Sequence, residues 1–553
     1  MNKAEKIIAV LEDWGIEKIF GIPGSANLPL YEALRKSRIT GILSRHEQAA
    51  CFEAAGYGRI KGILGVCFAT SGPGALNLLT ALADVNRDGV PLLAICGQVS
   101  QELMGRKSFQ EADVCAAASP LIKKCFFISS SENIDKVMMQ AAKLALSEGQ
   151  GAVLIDIPRD VQREILPPSP IKAVKYPKIV PPSPENKAKI PAEWPEKINA
   201  SLRPLIICGG GVVKAGAGEL VAKLAERGRI PVVSTLMGLG CLPKDHPLYF
   251  GLGGMCGGKT ANSLINNADL LIVLGSRLGD RFTRFPGDFG PNAEILRLDV
   301  SSVPAVPDTV RCDMRDFLKK LINLVIPAER PGWNDIKRLG PVRRRISSAS
   351  EFGKPPLMLA NLNDYLSKDV IIVTDVGQHQ IWSALNLDIN RAYSFMTSGG
   401  MGTMGFGLPT AIGAALAGPD KSVICVSGDG SLLMNLQELA LLSELGLNVK
   451  VLLFDNRSLG LVRQQQTILY DRQYSGCDFG PSLDYLALAK AFSIPAYYLN
   501  AYNCKKIMNN IGVPGPEMWI YPLSRDLLAL PELEANILGP LVYEIDKEME
   551  NAV

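Results

Sequence analysis

One stretch of the 553-residue chain constrains the fold more than any other, VICVSGDGSLLMNLQELALLSELGLNVKVLLFDN at residues 423–456. An apolar run typical of a buried strand ends at the GDG triplet 428–430, and a second such run ends just before Asn456. Between them the apolar spacing over 432–445 predicts a helix, which Gly446 ends. The pattern predicts a strand–helix–strand unit of a parallel α/β sheet.

Polar side chains follow both predicted strands, at the edge where ligands bind in parallel α/β sheets. Asp429 and Asn456 would offer the hard oxygen ligands that suit Mg²⁺ bridging a phosphate. Gly428 and Gly430 would let the backbone approach that phosphate, and the start of the following helix favours an anion. A GDG triplet alone is more often a simple turn, so the rest of the chain has to supply the other half of such a site.

Composition excludes several classes of protein. The chain is 47% hydrophobic and 20% charged, which is ordinary for a soluble globular protein. Its net charge of +3 is too small to indicate binding to nucleic acid or to an anionic membrane. The apolar runs are too short to span a bilayer, and the N-terminus does not resemble a signal peptide. Twelve cysteines without a CxxC pair, and only three histidines, argue against zinc and predict buried thiols in a reducing cytoplasm.

The order of patterns along the chain predicts three domains. Residues 1–165 alternate helices and strands, which indicates a parallel sheet with helices on both faces. The Pro- and Lys-rich stretch 166–195 is typical of an extended linker. A second α/β block covers 196–325, a second linker covers 326–356, and a third block covers 357–553. We therefore expect an α/β protein of three doubly wound parallel-sheet domains.

Further motifs carry a resemblance to a known family. SRHEQAA, which contains Glu47, is followed by ATSGPGALNLLTALADVNRDGVPLLAICGQV, and SGGMGTMGFGLPTAIGAALA precedes the GDG stretch. Glu47 alone is better explained as an acid at a helix N-terminus. Together these motifs closely resemble the acetolactate synthases of the thiamin-diphosphate-dependent superfamily, most strongly over 19–125 and 370–466. PVVSTLMGLGCLPKDHPL and NADLLIVLGSRLGDRF in the middle block resemble the same family.

The resemblance implies a transferase of branched-chain amino acid biosynthesis. Such an enzyme decarboxylates pyruvate and transfers the hydroxyethyl unit to a second 2-keto acid, with thiamin diphosphate and Mg²⁺ as cofactors. Glu47 would hydrogen-bond the cofactor's pyrimidine and drive it to the imino tautomer that takes the C2 proton. Asp429, Asn456 and the backbone carbonyl of Ser458 would hold the metal. Because Glu47 and Asp429 of different subunits would meet, a homodimer or homotetramer is implied, with a small regulatory subunit as a possible partner.

The resemblance also assigns roles to the other candidates. Gln110 would lie over cofactor and substrate, and Arg281 would hold the carboxylate of the acceptor, although alone it is equally explained as a surface arginine. Met404 would wedge between the two cofactor rings, and the carbonyl of Gly402 would receive the cofactor's amino group. The remaining candidates for the substrate and thiamin diphosphate sites are Pro23, Gly24, Ser25, Ser71, Gly377, Gln378, His379, Gly428, Gly430 and Ser431.

FAD is a further implied cofactor, which members of this family bind in the middle domain without using it for redox chemistry in the carboligation. The residues that fit the family's pattern there are Gly209, Gly210, Gly211, Thr235, Leu236, Met237, Arg277 and Asp299. Gly149, Cys256 and Gly279 depart from the pattern, where they replace an Arg, a His and an Asp. Because an Arg that would meet the pyrophosphate is missing, an empty or remodelled middle site is the alternative.

Other departures leave further alternatives open. Ser25 stands where the family usually has a Gly, and Gln465 replaces a Trp of many members, which tilts the acceptor toward pyruvate. Residues 539–543 match the family's final Gly-Pro and strand, whereas 504–537 have no counterpart. One alternative is a related thiamin-diphosphate-dependent 2-keto acid decarboxylase or carboligase with another acceptor. The other is a catalytically silent paralogue that binds the cofactor.

Overall fold

The computed structural model describes residues 1–167, 189–283, 289–300, 309–333, 353–480 and 483–529. Within these ranges the chain forms three six-stranded sheets, each entirely parallel in the pairs observed, with helices packed against them. The predicted α/β class of three doubly wound parallel sheets is confirmed. Most of the two predicted linkers and the segment 539–543 lie outside the described residues, and the domain boundaries stay predictions. No helix in the described ranges combines the length and the apolar character needed to cross a membrane.

The first sheet has the strand order β2-β1-β3-β4-β6-β5. Its strands are β1 (Lys18–Gly21), β2 (Thr40–Leu43), β3 (Gly65–Ala69), β4 (Leu92–Gln98), β5 (Lys124–Phe127) and β6 (Ala152–Pro158). The helices of this part are α1 (Lys3–Asp13), α2 (Leu28–Arg35), α3 (Glu47–Lys61), α4 (Pro73–Asn77), α5 (Leu79–Arg87), α6 (Val114–Ala118), α7 (Ile134–Leu146) and α8 (Arg159–Arg163).

The second sheet has the order β12-β11-β10-β7-β8-β9. Its strands are β7 (Pro204–Cys208), β8 (Val232–Ser234), β9 (Tyr249–Leu252), β10 (Leu270–Leu274), β11 (Glu294–Leu298) and β12 (Thr309–Val310). The helices of this part are α9 (Glu193–Ala200), α10 (Gly210–Lys214), α11 (Gly218–Gly228), α12 (Lys259–Asn267), α13 (Asp280–Thr283) and α14 (Met314–Leu324).

The third sheet has the order β14-β13-β15-β16-β18-β17. Its strands are β13 (Ile371–Thr374), β14 (Phe395–Met396), β15 (Val423–Gly428), β16 (Val449–Asp455), β17 (Ala496–Tyr498) and β18 (Glu517–Pro522). The helices of this part are α15 (Pro355–Leu362), α16 (Gln378–Asn386), α17 (Gly407–Ala417), α18 (Asp429–Leu432), α19 (Leu439–Glu444), α20 (Gly460–Leu469), α21 (Tyr485–Ala491) and α22 (Cys504–Met508).

The first and third sheets share one topology, because their strand orders correspond position by position. In each sheet the strand order reverses at the first strand of that domain, between β1 and β3 in the first sheet and between β13 and β15 in the third. Ligands of open α/β sheets bind at the carboxyl ends of strands on either side of such a reversal. The candidate residues that follow β1, β3, β13 and β15 therefore lie where this fold places a ligand.

Helices α3 and α17 join the first sheet to the third. They approach so closely that a Cβ on Gly56 would lie 2.4 Å from the carbonyl oxygen of Thr410. A Cβ on Gly413 would lie 2.0 Å from the carbonyl oxygen of Glu53. Glycine is required at both positions by backbone packing, and one continuous apolar core spans both domains.

The helix predicted over 432–445 is wrong as a single element. After α18 the chain turns at Asn435, whose φ of −139° is not helical, and continues as a 3₁₀ turn and α19. Nδ2 of Asn435 donates to the carbonyl of Gly405 at 2.8 Å and to Oε1 of Gln48 at 3.2 Å. These tertiary hydrogen bonds favour the non-helical backbone conformation of Asn435 over continuation of the helix. Gly446 ends the segment with φ of +57°, as predicted.

The prediction that all cysteines are buried thiols is wrong for two of them. Cys115 on α6 and Cys125 on β5 form a disulfide, with Cα atoms 5.3 Å apart. Both are only partly buried, and α6 packs beside β5, which brings the two sulfur atoms together. The other ten cysteines are free.

Strands β5 and β18 were not predicted from the sequence. The stretch after Lys123 contains β5, which pairs with β6. Nζ of Lys123 is itself engaged by Oγ of Ser147 at 2.9 Å. The stretch 504–537, for which no counterpart was found, contains the buried strand β18 next to β16. A Gly515-Pro516 pair precedes β18, so a Gly-Pro-strand pattern also occurs here.

Candidate active site

A buried carboxylate and a buried amide lie together at the carboxyl edge of the third sheet. Asp429 begins α18 directly after β15, and Asn456 follows the neighbouring strand β16. Their exposed fractions are 2% and 8%. Oδ1 of Asp429 accepts a hydrogen bond from the N–H of Gly430 at 2.8 Å, whereas its Oδ2 is buried without a hydrogen-bond partner.

This environment is suited to a cation. Burial, and then the charge of the neighbouring Asp455, raise the pKa of Asp429 to about 7. A bound cation would stabilise the ionised form of this carboxyl group. Ser458 donates its backbone N–H to Oδ1 of Asn456 at 3.1 Å, and its own Oγ is buried without a partner. The available groups are hard oxygen ligands, so the predicted residues fit Mg²⁺.

Gln378, which is predicted to bind the diphosphate, is held by three partners within the chain. Its Oε1 accepts from Nδ2 of Asn456 at 3.2 Å. Its Nε2 donates to Oε1 of Gln464 at 3.1 Å and to the carbonyl of Leu527 at 2.7 Å. The side chain thus orients the amide of a predicted metal ligand, and its own role toward the diphosphate stays a prediction.

Glycines and a neutral histidine surround the start of α16. A Cβ on Gly377 or on Gly428 would lie 2.5 Å or 3.0 Å from Cε1 of His379. Burial lowers the pKa of His379 to about 3, so its ring is neutral, and its Nε2 is buried without a partner. Oγ of Ser431 donates to the carbonyl of Val376 at 2.8 Å. The ring of His379 thus lies against both glycines, and the role of this segment toward a diphosphate stays a prediction.

The loop between β14 and α17 carries Gly402 and Met404. Gly402 has φ of +69°, a conformation that favours glycine, and Met404 is half-buried. Asp375 holds the end of the loop, because its two carboxylate oxygens accept from the N–H groups of Gly405 at 3.0 Å and Gly407 at 2.9 Å. Sequence reasoning missed Asp375, although its position directly after the apolar strand IIVT was a usable signal.

Glu47 lies in a compact group of side chains from three loops of the first domain. It begins α3 and is 7% exposed. Its Oε2 accepts from Nδ2 of Asn77 at 2.9 Å. A Cβ on Gly74 would lie 3.0 Å from its Oε1 and 2.8 Å from Thr70, and a Cβ on Gly24 would lie 2.5 Å from Thr70. The strand ends after β1 and β3 therefore converge on this carboxylate, and Asn77 is a contact that sequence reasoning missed.

Gln110 lies next to the same convergence. It has φ of +59°, and a Cβ on Gly72 would lie 2.7 Å from its carbonyl oxygen. Ser71, directly before Gly72, is buried. Pro23 and Ser25 are exposed on the loop after β1, on either side of Gly24. The structure thus brings Pro23, Gly24, Ser25, Ser71 and Gln110 to one edge of the first sheet.

The middle-domain candidates gather at the carboxyl ends of β7, β8 and β10. A Cβ on Gly209 would lie 2.1 Å from the carbonyl oxygen of Gly275, and one on Gly211 would lie 2.6 Å from Cα of Gly275, so backbone packing explains both glycines. A Cβ on Gly210 would lie 3.1 Å from Cβ of Met237. The loops that carry Gly209, Gly210, Gly211, Thr235, Leu236 and Met237 are therefore in contact.

Arg277 is the charged member of this group. Burial lowers its pKa, as does the nearby positive charge of Arg87, whereas Asp88 and Asp299 act in the opposite direction. Asp299 is buried, and its Oδ2 lies 3.4 Å from Nη2 of Arg297. Arg277 and Arg87 are both exposed, and their positive charge suits an anionic ligand such as the pyrophosphate of a flavin dinucleotide. The roles of these residues toward FAD stay predictions.

Arg281 lies apart from the other candidates. Its side chain is 76% exposed on α13, with Nε 3.7 Å from Oδ2 of Asp280. Its Nη1 lies 3.9 Å from Sδ of Met255. Among the described residues no hydrogen bond or ion pair joins it to Glu47 or Asp429. Its role toward an acceptor carboxylate stays a prediction.

Three family models match the chain in order. They are the thiamine pyrophosphate enzyme N-terminal TPP binding domain over residues 1–117, the central domain over 192–321, and the C-terminal TPP binding domain over 375–511.

Curated relatives extend the similarity over nearly the full length. The acetolactate synthase isozyme 1 large subunit of Escherichia coli is 40% identical over 536 residues, which cover 93% of this chain and 92% of that protein. The acetolactate synthase large subunit of Lactococcus lactis is 38% identical, with 99% of this chain and 98% of that protein covered. The probable acetolactate synthase large subunit of Methanocaldococcus jannaschii is 40% identical, with 90% and 87% covered.

Proposed function

The chain belongs to the acetolactate synthase large-subunit family of thiamin-diphosphate-dependent enzymes, and from that premise we propose how its residues act on 2-keto acids. It decarboxylates pyruvate and joins the remaining two-carbon unit to a second 2-keto acid. Similarity over 93% of the chain favours this reaction over the decarboxylase and silent-paralogue alternatives. When bound, thiamin diphosphate supplies the carbon nucleophile and the electron sink for decarboxylation.

Glu47 is the residue that activates the cofactor, and its environment is the observation that carries the proposal. The carboxylate is buried at a helix start, held by Asn77, and approached closely by the glycine loop after β3. A hydrogen bond accepted by a buried carboxylate is stronger than one in water, so Glu47 would form a strong hydrogen bond with the cofactor's pyrimidine. Its position at the carboxyl edge of the first sheet supports this role.

The third domain would hold the charged end of the cofactor. Asp429, Asn456 and Ser458 would bind Mg²⁺, and Gln378 would keep the oxygen of Asn456 turned toward the metal. The backbone at Gly377, Gly428 and Gly430, with His379 and Ser431, would receive the diphosphate. Met404 and the carbonyl of Gly402 would fix the two cofactor rings, and Gln110 would face the substrate.

The middle domain and Arg281 would serve binding. Arg277, Asp299 and the loops at 209–211 and 235–237 would hold FAD, which takes no redox part in the carboligation. Arg281 would pair with the carboxylate of the acceptor, which is small, such as a second pyruvate. Its guanidinium fork suits a carboxylate, and its exposure leaves it accessible.

A second copy of the chain would complete the site. Four large apolar side chains are exposed close in sequence to candidate residues, and they are Leu76, Phe109, Met401 and Met434. Exposed apolar side chains beside a candidate site favour an interaction surface there. We place Glu47 of one subunit opposite Asp429 of another, in a homodimer or homotetramer. The large-subunit relatives support a small regulatory partner, and the ten free thiols favour the cytoplasm.

Mixing two inactive variants tests this arrangement. Glu47→Gln and Asp429→Ala proteins are each expected to form almost no acetolactate from pyruvate with thiamin diphosphate and Mg²⁺. Mixed after dissociation and reassociation, they should recover roughly one quarter of wild-type activity, because half of the dimers are hybrids with one intact site. Each variant reassociated with itself is the control, and assays with and without FAD show whether the flavin is required. No recovery in the mixture would assign both residues to one subunit's site.

A further inference from the structure

Two buried carboxylates of the first domain accept hydrogen bonds from a loop of the third domain, residues 398–404. Asp84 and Asp88 lie one turn apart at the end of α5. Oδ2 of Asp84 accepts hydrogen bonds from the hydroxyl groups of Ser398 and Thr403, the latter at 2.5 Å. Asp84 is fully buried, so these bonds form out of contact with water.

Asp88 binds the backbone of the same loop. Its Oδ1 accepts from the N–H of Gly400 at 2.7 Å, and its Oδ2 accepts from the N–H of Gly399 at 3.1 Å. A Cβ on Gly400 would lie 2.8 Å from Oδ1 of Asp88, so the loop can approach only as glycine. A carboxylate that receives two consecutive backbone N–H groups fixes both position and direction of a chain segment.

The loop held by these two carboxylates, residues 398–404, contains Gly402 and Met404, the two residues proposed to fix the cofactor rings. Within it, the N–H of Thr403 donates to Oγ of Ser398 at 2.8 Å, which closes the turn around Gly402. Gly402 and Met404 therefore follow directly from the segment that Asp84 and Asp88 hold. From the third domain itself, Gln380 contacts the carbonyl of Ser398 at 3.3 Å.

The middle domain contacts both Asp88 and the loop that Asp88 binds. Nζ of Lys214 donates to the carbonyl of Asp88 at 2.5 Å, and a Cβ on Gly399 would lie 2.2 Å from Sδ of Met237. Arg59 of α3 lies 3.6 Å from Oδ2 of Asp88, and it balances part of the negative charge. Three domains thus meet at one loop, and the carboxylates of α5 are its charged centre.

We propose that Asp84 and Asp88 are positioning residues of the synthase, which hold the loop 398–404 in the conformation that presents Gly402 and Met404 to the cofactor. This inference rests on the proposed function, since it takes the roles of Gly402 and Met404 from it. The carboxylates touch neither cofactor nor substrate in this proposal and act only through the loop.

Asp88→Asn is the direct test. The Asn amide would replace one acceptor oxygen by an N–H₂ group that faces a backbone N–H of the loop. One charge-assisted hydrogen bond would be lost, and two hydrogen-bond donors would face each other. We expect thiamin diphosphate with Mg²⁺ to bind about tenfold more weakly or worse, measured by titration of near-ultraviolet circular dichroism without turnover. We also expect kcat at saturating cofactor to fall, because the rings would be held in the wrong relation.

Asp84→Asn gives the matched contrast. The carbonyl of Asn can still accept from both hydroxyl groups, and Oδ1 of Asp84 has no hydrogen-bond partner to lose. Asp84→Asn should therefore keep cofactor affinity within about threefold of wild type, whereas Asp84→Ala should not. Thr403→Val removes one of the two hydroxyl donors at nearly constant volume, and it should weaken cofactor binding even if Asp88→Asn fails to fold.

Asp156→Asn is the control for losing a buried carboxylate of the same domain. Asp156 is buried and its Oδ2 accepts from Gln98, with no bond to the loop. It should change thermal stability and leave cofactor affinity unchanged. Wild-type affinity and kcat in folded Asp88→Asn and Thr403→Val would overturn the inference, as would equal losses in Asp156→Asn. Acetolactate formation by the wild-type protein tests the proposed function separately, so the two failures are distinguishable.

Discussion

Replacing Gly413 by Ala should separate the two helices that link the cofactor-binding domains. Its Cβ would lie 2.0 Å from the carbonyl oxygen of Glu53, where ordinary contact begins at 3.4 Å. The neighbours are backbone atoms, so α17 and α3 would have to move apart by about 1.4 Å. Overpacking of this kind costs about 1–3 kcal/mol, and the better helix propensity of Ala offsets about 0.5–1 kcal/mol. A net loss of about 1–2 kcal/mol in the free energy of unfolding follows.

The same displacement should reach the active site. Helix α3 begins at Glu47, and α17 begins three residues after Met404. Because a misplacement of about 1 Å can cost about 100-fold in rate, we expect kcat to fall by about that factor. The assay pairs acetolactate formation with thermal unfolding, and Tm should drop by about 1–3 °C, because the unfolding entropy of a unit this large is high. Gly512→Ala is the control, since its Cβ meets no atom within 4 Å. Wild-type kcat and Tm in Gly413→Ala would refute the close-packing argument.

Two further changes follow from buried and exposed charges. Burial, and then the charge of Glu438, hold the pKa of Glu53 well above its usual value of 4.5. The proton bound to Glu53 therefore stabilises the folded protein at low pH, and this stability is lost as pH rises through the raised pKa. Glutamine cannot lose a proton, so the Tm of Glu53→Gln should rise relative to that of wild type as pH rises from 5 toward 9. A Tm difference that does not depend on pH would contradict this explanation. Arg281→Gln should raise KM for the acceptor about tenfold or more while CO₂ release from the donor continues, as shown by separate assays of CO₂ and acetolactate, and an unchanged KM would remove Arg281 from acceptor binding.

Strands in the middle of a sheet could be predicted, because they are short apolar runs bounded by turn residues. Pro204–Cys208 and Leu270–Leu274 are such runs in the second predicted α/β block, and both are fully buried strands. Strand β5 was missed because Lys124 and the exposed Phe127 disguise a half-covered edge strand. The break at Asn435 was missed because its cause is a hydrogen bond to a loop thirty residues away. The local sequence pattern predicts which segments are buried, but it does not predict hydrogen bonds to residues far away along the chain.

The candidate site shows the same division. Asp429 and Asn456 could be placed together because parallel strands bring their carboxyl ends to one edge. The sequence could not show that the amide of Gln378 is occupied by Asn456, Gln464 and Leu527, since all three lie 78 or more residues away along the chain. Side-chain direction depends on tertiary partners, which neither spacing nor family resemblance contains.

The polar groups buried between domains explain why this site is not built from apolar packing alone. Carboxylates such as Glu53, Asp84 and Asp88 cost free energy to bury, and well-packed apolar replacements are often more stable. Apolar contacts, however, have no direction, whereas a carboxylate that accepts two consecutive N–H groups defines a single position for its partner. The loop 398–404 needs such a definition, because a residue with φ of +69° lies within it and a side chain at its end must meet the cofactor. The buried charges are therefore better explained by the geometry they impose than by stability.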